Sequence, residues 1–168
     1  MSVPPLTPLA AAVLRVGEPE RILEIECATG EATLFLAREF PRARVRGVDR
    51  DERSVRRASA RVGLDPEGRV AFKAGAPASL PFPDDLFDLL VAVDAEPNFA
   101  EAARVLRPGG SLLCVRTRLH EPAGGPRGWL AERRRRRQGF EAVESEAAGE
   151  GSFSVFRLRG ASAQSAGD

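Results

Sequence analysis

The chain has 168 residues, of which 43% are hydrophobic, and its formal net charge at pH 7 is +1. This length and composition predict one globular domain with its own core. No apolar run reaches the length of a membrane span, and residues 1–8 lack the pattern of a secretory signal, so we expect a cytoplasmic protein. The two cysteines, Cys27 and Cys114, form no C-x-x-C pair. We interpret them as reduced core thiols and expect no zinc or other metal site.

The first predicted element is an amphipathic helix over residues 6–16. Its apolar residues recur at helical spacing on one face: Leu6, Leu9, Val13 and Val16. Gly17 and Pro19 are expected to end it, because glycine and proline interrupt helical backbone. We expect residues 1–19 to form an N-terminal cap ahead of the main domain.

A strand, a tight turn and a helix are predicted over residues 21–40, and the rest of the chain is organised around them. The strand, residues 21–25, contains adjacent apolar side chains, as in a parallel strand covered on both faces. The turn occupies residues 26–30, and Pro41 stops the helix. Small residues in the turn would let a ligand approach the N–H groups at the helix start: Ala28, Thr29 and Gly30. The turn is therefore the predicted ligand site.

This turn resembles motif I of the class I S-adenosylmethionine (SAM) dependent methyltransferases, commonly written E/D-x-G-x-G-x-G. The frame is occupied here by Glu24, Ile25, Glu26, Cys27, Ala28, Thr29 and Gly30. The resemblance implies that Glu24 and residues 26–30 surround a bound SAM molecule. Two of the three glycines are replaced. Ala28 adds one methyl group, whereas Glu26 places a carboxylate where the family's backbone lies against the methionine part of the donor.

Residues 44–48 are the second predicted strand, and Asp49 stands at its carboxyl end. An acidic residue about 20 positions after the turn binds ribose hydroxyls in dinucleotide-binding folds, and the resemblance implies the same role in SAM enzymes. Asp49 is therefore the predicted ribose ligand. Alternatively, Asp49 caps the helix that is predicted to begin near Asp51. The segment VRGVDRDERSVRRA resembles the family's second motif along its whole length, which favours the ribose role.

The third and fourth predicted strands are residues 70–73 and 89–93. Between them lies a segment that resembles the family's next signature, G-D-A followed by L-P-F and F-D. The packing and turn residues of that signature are present: Leu80, Pro81, Phe82, Phe87 and Asp88. The resemblance implies that its first aspartate accepts a hydrogen bond from the adenine amino group. Ala76 stands at that position, so this ligand residue is replaced.

The link between the fourth strand and the fifth, predicted at residues 111–115, is shorter than the one relatives usually carry. It contains three polar side chains that are either a general base or ordinary solvated groups: Asp94, Glu96 and Asn98. His120, the only histidine, lies in a Pro/Gly-rich loop and has the same two interpretations. The catalytic residues are therefore left unassigned.

A helix predicted over residues 129–138 contains five consecutive arginines, from Arg133 to Arg137. Successive helical residues are about 100° apart, so at least one of the five must face the sheet. Its stem would lie along apolar surface, or the helix would present its charges to an acidic partner. Arginine runs also occur in nucleic-acid-binding proteins. The net charge and the lack of interleaved aromatic residues argue against that role, so we expect no nucleic-acid partner.

The last segment resembles the family's closing antiparallel pair, with strands at residues 141–145 and 152–158 and a hairpin at residues 146–151. The resemblance spans roughly residues 20–159. It implies an α/β fold, namely a doubly wound, Rossmann-like sheet of seven strands in the order 3-2-1-4-5-7-6, with the last strand antiparallel and helices on both faces. We expect the methyltransferase-like domain over residues 20–160 and a disordered tail over residues 161–168.

The replaced ligand residues are expected to weaken donor binding. A donor bound at micromolar strength has about 8 kcal/mol of binding free energy. The missing acceptor at Ala76 removes about 1 kcal/mol. Overpacking by Glu26 costs about 1–3 kcal/mol, and an unpaired desolvated charge costs several more. A Glu26 rotamer that reaches the donor's sulfonium or ammonium group would recover part of this loss.

Two hypotheses for function follow, and they leave open whether the chain is an enzyme. In the first, a methyltransferase-like domain with a degenerate SAM site is inactive or impaired, binds SAM weakly or not at all, and acts through protein contacts. Apolar surface at the strand ends would then be buried in a homo- or hetero-oligomer. In the alternative, an active methyltransferase acts on a small molecule or protein, with its acceptor pocket completed by a partner chain. Asp49, Glu24 and Gly30 would hold its donor.

Overall fold

The computed structural model describes residues 6–118 and 126–160, apart from the side chains of residues 126–129. Within these residues the helices are α1 (Thr7–Val13), α2 (Glu31–Glu39), α3 (Glu52–Ala60), α4 (Phe99–Val105) and α5 (Pro126–Arg137). The strands are β1 (Arg21–Ile25), β2 (Arg44–Asp49), β3 (Val70–Ala74), β4 (Phe87–Val93), β5 (Leu106–Arg116), β6 (Phe140–Ala148) and β7 (Gly151–Leu158). The predictions for His120 and for the tail of residues 161–168 fall outside the described residues.

The seven strands of the described residues form one sheet in the order β3-β2-β1-β4-β5-β7-β6. The first five strands, β1 to β5, are all parallel to one another in this sheet. The strand β7 is antiparallel to both β5 and β6. The predicted doubly wound, Rossmann-like fold, its strand order and its reversed last strand are confirmed.

Two hydrophobic layers cover the two faces of this sheet. Ile22 and its neighbour Leu23 on β1 belong to different layers, and Leu89 and Leu90 on β4 alternate in the same way. All four side chains are almost fully buried. Successive residues of a strand face opposite sides, so adjacent apolar residues indicate strands that are covered on both faces.

The helix α1 belongs to one of these layers, in which Leu9 packs with residues of β5 and β7 such as Val115 and Phe153. The helix ends at Val13, earlier than predicted. The N–H of Arg15 bonds to the carbonyl of Ala12, which tightens the last turn, and Gly17 then takes a φ of +69°. The helix therefore ends before Val16, the last residue of the apolar pattern from which we predicted it.

The closing strands are longer than predicted. Cross-strand pairing continues to Ala148 opposite Gly151, so a short turn replaces the predicted hairpin of residues 146–151. Gly149 allows this turn with a φ of +61°. The strand β5 also begins early, because Leu106 pairs with Phe87 before a register shift.

The helix α5 begins at Pro126, before the predicted start, in keeping with the preference for proline in the first turn of a helix. Its arginine run directs one residue against the sheet. The Arg135 side chain is 12% exposed, and its guanidinium group lies 4.2 Å from the centroid of the Phe156 ring. The predicted inward-facing arginine is confirmed.

Asp88 joins three strands at the end of the sheet opposite the predicted ligand site. Its Oδ2 accepts hydrogen bonds from the N–H groups of Glu20 and Arg21 at 2.6 and 2.9 Å. Its Oδ1 lies 2.8 Å from Nε of Arg107. One carboxylate thereby fixes the start of β1 against β4 and β5.

Candidate functional site

The loop between β1 and α2, residues 26–30, has a left-handed backbone at alternate positions. Glu26, Ala28 and Gly30 have φ angles of +50°, +48° and +85°. These are the three positions that the motif I frame assigns to glycine. A left-handed backbone costs a residue with a side chain roughly 1–2 kcal/mol. The loop therefore keeps the backbone conformation that glycine favours at all three positions, although Glu26 and Ala28 occupy two of them.

Gly30 is needed for packing as well as for its φ angle. A Cβ atom at Gly30 would lie 2.7 Å from Cζ of Phe72, and one at Gly47 would lie 2.5 Å from Cδ1 of the same ring. Both distances are shorter than carbon atoms tolerate. The ring of Phe72 on β3 therefore packs against the loop and against β2, and this contact requires glycine at both positions.

Asp49 attaches the loop to the end of β2. Its Oδ2 accepts a hydrogen bond from Ala28 N–H at 2.8 Å, and its Oδ1 accepts one from Asp51 N–H at 2.9 Å. Asp51 is itself the N-cap of α3, since its side chain accepts from Arg53 N–H. The alternative in which Asp49 caps that helix is therefore wrong. A carboxylate has about four acceptor positions, so Asp49 can still accept bonds from ribose hydroxyls.

The carboxylate of Glu26 forms an ion pair with Arg50. Its Oε1 lies 2.5 Å from Nη2 of Arg50, and the two side chains are 31% and 66% exposed. The charge is therefore paired and partly hydrated, so the large penalty for an unpaired desolvated charge does not apply. An ion pair this exposed contributes at most about 1 kcal/mol.

Glu24 is an interior residue that links β1 to α2. It is buried, and its carboxyl group shares a short hydrogen bond with Oγ1 of Thr33. Burial raises the pKa of Glu24 to about 8, although the bond to Thr33 acts in the opposite direction. At neutral pH this carboxyl group is therefore mainly protonated and supports the loop from inside the molecule.

The other residues of the loop differ in exposure. Cys27 is a buried free thiol, and burial raises its pKa to about 12. The hydroxyl of Thr29 donates to the carboxylate of Glu31 at 2.8 Å. Ala28 is exposed, and Glu26 and Thr29 are half-buried. These three residues form the surface of the loop that a ligand can reach.

Ala76 lies beside the end of β2, where the resemblance implies the adenine end of the donor. The preceding Gly75 donates its N–H to the carbonyl of Asp49 at 3.0 Å. Ala76 is exposed, and its methyl side chain offers no hydrogen-bond acceptor. Ala76 is therefore accessible to solvent and to a ligand, but it cannot make the hydrogen bond to adenine that the family's aspartate makes.

The three polar candidates after β4 all have structural partners. The two carboxylate oxygens of Asp94 accept bonds from the N–H and hydroxyl groups of Thr117 at 2.9 and 2.6 Å. Glu96 pairs with Arg116, and the side chain of Asn98 caps α4. No general base is assigned among them.

A cleft of about 520 Å³ opens between this link and α5. Its lining includes Glu96, Pro97, Asn98, Phe99, Leu130 and Arg134. Because β4 is the neighbour of β1 in the sheet, the cleft lies on the β4 side of the loop. It is a concave surface on which an acceptor molecule can be placed.

The predicted apolar surface is absent from the described segments that directly follow β1, β2 and β4. The large apolar side chains exposed in residues 6–118 and 126–160 are Leu14, Leu64, Leu130 and Val143, and none lies in the segments directly after β1, β2 or β4. Polar side chains and their partners occupy those segments instead. In the same ranges, no three His, Cys, Asp or Glu side chains form a metal-binding group, and no helix is long and apolar enough to cross a membrane.

Comparison with known proteins identifies the family. The family model described as "Methyltransferase domain" matches residues 22–110, more than half of the chain. The chain therefore belongs to the methyltransferase domain family, within the class I SAM-dependent methyltransferases. The ubiquinone/menaquinone biosynthesis C-methyltransferase of Geobacter sulfurreducens is 33% identical over a match 115 residues long, and this match covers 63% of this chain and 45% of that protein. The chain thus spans less than half of the length of this relative.

Solved structures share the fold at lower identity. A putative methyltransferase in complex with the Trm112 methyltransferase activator of Haloferax volcanii has a TM-score of 0.74 and 18% identity, covering 92% of this chain and 90% of that one. The cyclase SpnF has a TM-score of 0.72 and 21% identity, covering 92% and 81%. These two neighbours show the fold alone, since one is a putative methyltransferase and the other a cyclase.

Sequence reasoning missed three residues of this site: Thr33, Arg50 and Phe72. Arg50 directly follows Asp49, so its place at the end of β2 was visible, but its partner Glu26 is distant in sequence. Thr33 and Phe72 carry no local signal, because their contacts with Glu24 and Gly30 arise only when α2 and β3 pack beside β1 and β2.

Proposed function

We propose that this domain binds SAM on the loop of residues 26–30 and transfers its methyl group to an acceptor. One observation carries the proposal: the left-handed backbone is retained at Glu26 and Ala28, where it costs energy that a glycine would not. Strained backbone persists where the surrounding structure or a function requires it. Together with membership of the family, this shape favours donor binding.

In this proposal Asp49 accepts bonds from the ribose hydroxyls, and the exposed edge of residues 26–30 lies along the donor. Glu24 and Thr33 act indirectly, because their buried hydrogen bond holds β1 and α2 in the relative position that shapes the loop. The chain's contribution to the reaction is alignment. A sulfonium already carries a good leaving group, so placing the acceptor in line with the methyl group supplies most of the acceleration. The cleft beside α5 is the proposed acceptor side.

Calorimetric titration of the purified chain with S-adenosylhomocysteine (SAH) tests the proposal. We expect dissociation constants of about tens of micromolar, since the adenine acceptor is missing but the carboxylate of Glu26 is paired. Ala76→Asp should tighten binding about fivefold by restoring one hydrogen bond. Ala78→Asp is the matched control, because it adds the same charge to the same loop at another exposed position. Absence of binding of both SAH and SAM up to about 1 mM would overturn the proposal.

A second candidate is favoured by the two replaced residues, Glu26 and Ala76. In this case the domain has lost donor binding and acts through contacts with another chain, either a second copy or a different protein. The Haloferax volcanii structure, a methyltransferase-fold protein in complex with an activator, supports such a role by analogy only. The combined variant Glu26→Gly with Ala76→Asp separates the two candidates. It would create binding in a degenerate domain and would only strengthen it in one that already binds.

A further inference from the structure

Glu26 lies where a bound donor would cross the end of the sheet. The strand order places β1 between β2 and β4, and Ile25 is level with Val48 on one side and with Ala92 on the other. Neighbouring strands are about 4.8 Å apart. A donor whose ribose meets Asp49 at the end of β2 therefore extends over the end of β1, directly above the first residue of the loop.

The part of the donor next to the ribose is the sulfur, which is joined to it through a single carbon. In SAM this sulfur is a cationic sulfonium, and in the product SAH it is a neutral thioether. The adenine, ribose, carboxylate and ammonium groups of the two molecules are the same. A carboxylate at this point of the site therefore distinguishes the two ligands by charge, since it attracts one sulfur and not the other.

Arg50 competes for the same carboxylate. Both side chains of the pair are partly exposed, so little free energy holds Glu26 in its present rotamer. The neighbouring carboxylates are already engaged, that of Asp49 by the N–H groups of the loop and α3, and that of Asp94 by Thr117. Among these three carboxylates at the end of the sheet, Glu26 is thus the one that the described residues pair only with an exposed arginine.

We propose that Glu26 makes the site select the cationic methyl donor over the neutral product, and that Arg50 limits this selectivity by pairing with the same carboxylate. The inference rests on the proposed function, because it assumes that the donor binds on this loop. It assigns to Glu26 a net positive role in recognition, whereas the sequence led us to expect that contact with the sulfonium or ammonium group would recover only part of a steric and electrostatic cost. A site with this selectivity releases its product more readily.

The test measures dissociation constants for SAM and SAH by calorimetry on the full chain and compares their ratio between variants. Glu26→Gln keeps the size of the side chain and removes its charge, and should lower the preference for SAM about fivefold, as expected for a partly screened charge pair. Arg50→Gln frees the carboxylate and should raise the preference about two- to threefold. Glu141→Gln is the control, since it removes an exposed ion pair of the same kind, with Arg159, on the edge strand β6 far from the loop, and it should leave the ratio unchanged.

The two proposals fail in different ways. If both ligands bind and Glu26→Gln leaves their ratio at the wild-type value, the selectivity role of Glu26 is overturned while donor binding stands. A fall in the preference for SAM on Arg50→Gln overturns the competition by Arg50. If neither ligand binds to the wild-type chain, the proposed function itself fails, and this inference fails with it. Glu26→Gly should shift the ratio in the same direction as Glu26→Gln, which provides a second variant without left-handed strain.

Discussion

At the scale of single residues, Glu24 is the group whose ionisation is most altered by folding. Its carboxyl group is buried between β1 and α2, and burial raises its pKa from the ordinary value of 4.5 to about 8. The hydrogen bond to Thr33 favours the ionised form but does not outweigh desolvation. Between these two pH values the folded chain holds a proton that the unfolded chain has released. The folded state therefore loses stability as the pH rises through this range.

We predict that Glu24→Gln removes this pH dependence. The wild-type contribution is most favourable below about pH 4.5 and is lost progressively up to about pH 8. Glutamine keeps the size of the side chain and its bond to Thr33 without ionising. Urea unfolding at pH 5 and pH 8 should show the variant gaining stability relative to wild type by a few kcal/mol at the higher pH. Other carboxylates, such as Glu31 and Glu101, have a lowered pKa. They are present in both the wild type and the variant, so their contributions to the pH dependence cancel when the two are compared. A difference that does not change with pH would contradict the assignment.

At the scale of elements, α5 shows how a charged sequence is accommodated on a sheet. Five consecutive arginines leave no apolar face, so Arg135 is directed inward and lies on the ring of Phe156. The contact offers a cation–π interaction of about 1 kcal/mol. However, the buried Nε of Arg135 has no hydrogen-bond partner, and an unsatisfied buried donor costs about 1–3 kcal/mol. The helix is therefore held less tightly than one with an apolar residue at this position.

We predict that Arg135→Met raises the free energy of unfolding by about 1 kcal/mol, because methionine fills the same space without an unsatisfied donor. Arg136→Met is the matched control. Arg136 is 71% exposed and pairs with Glu132 on the same helix, so its replacement should change stability by less than about 0.5 kcal/mol. Chemical denaturation of the three proteins measures both values. A loss of stability on Arg135→Met would mean that the cation–π contact outweighs the unsatisfied donor.

At the scale of the whole molecule, the charges nearly cancel. The chain has 25 basic and 24 acidic residues, and the arginine run of α5 shares its helix with Glu132, which pairs with Arg136. Binding to a polyanion requires several basic side chains that contact phosphates or sulfates together. An inward-facing Arg135 and a paired Arg136 reduce the number available on this helix.

We predict weak retention on heparin, with elution below about 0.2 M NaCl. The variant Arg134→Gln with Arg137→Gln should elute at nearly the same salt concentration, since these exposed arginines act as solvated surface charges. Elution above about 0.5 M NaCl, with an earlier position for the double variant, would instead indicate a nucleic-acid-binding surface on α5.

The sequence by itself predicted the fold, through its local patterns together with the family resemblance, and it indicated the loop that we propose as the ligand site. Adjacent apolar residues such as Ile22 and Leu23 show that a strand is covered on both faces, and small residues followed by a helix show where a ligand can approach. Both signals can be read from sequence, because each depends only on residues that are close together along the chain. The boundaries of β5 to β7 were less accurate, since strand ends depend on pairing with a partner strand.

Only the tertiary structure decided what the polar groups of the site do. It pairs Glu26 with Arg50 and bonds Glu24 to Thr33, and it makes Asp49 a bridge between the loop and Asp51 while Asp51 itself caps α3. The reason is physical. The energy of a carboxylate depends on the charges, donors and solvent within a few ångströms, and in this fold those neighbours come from other strands and helices.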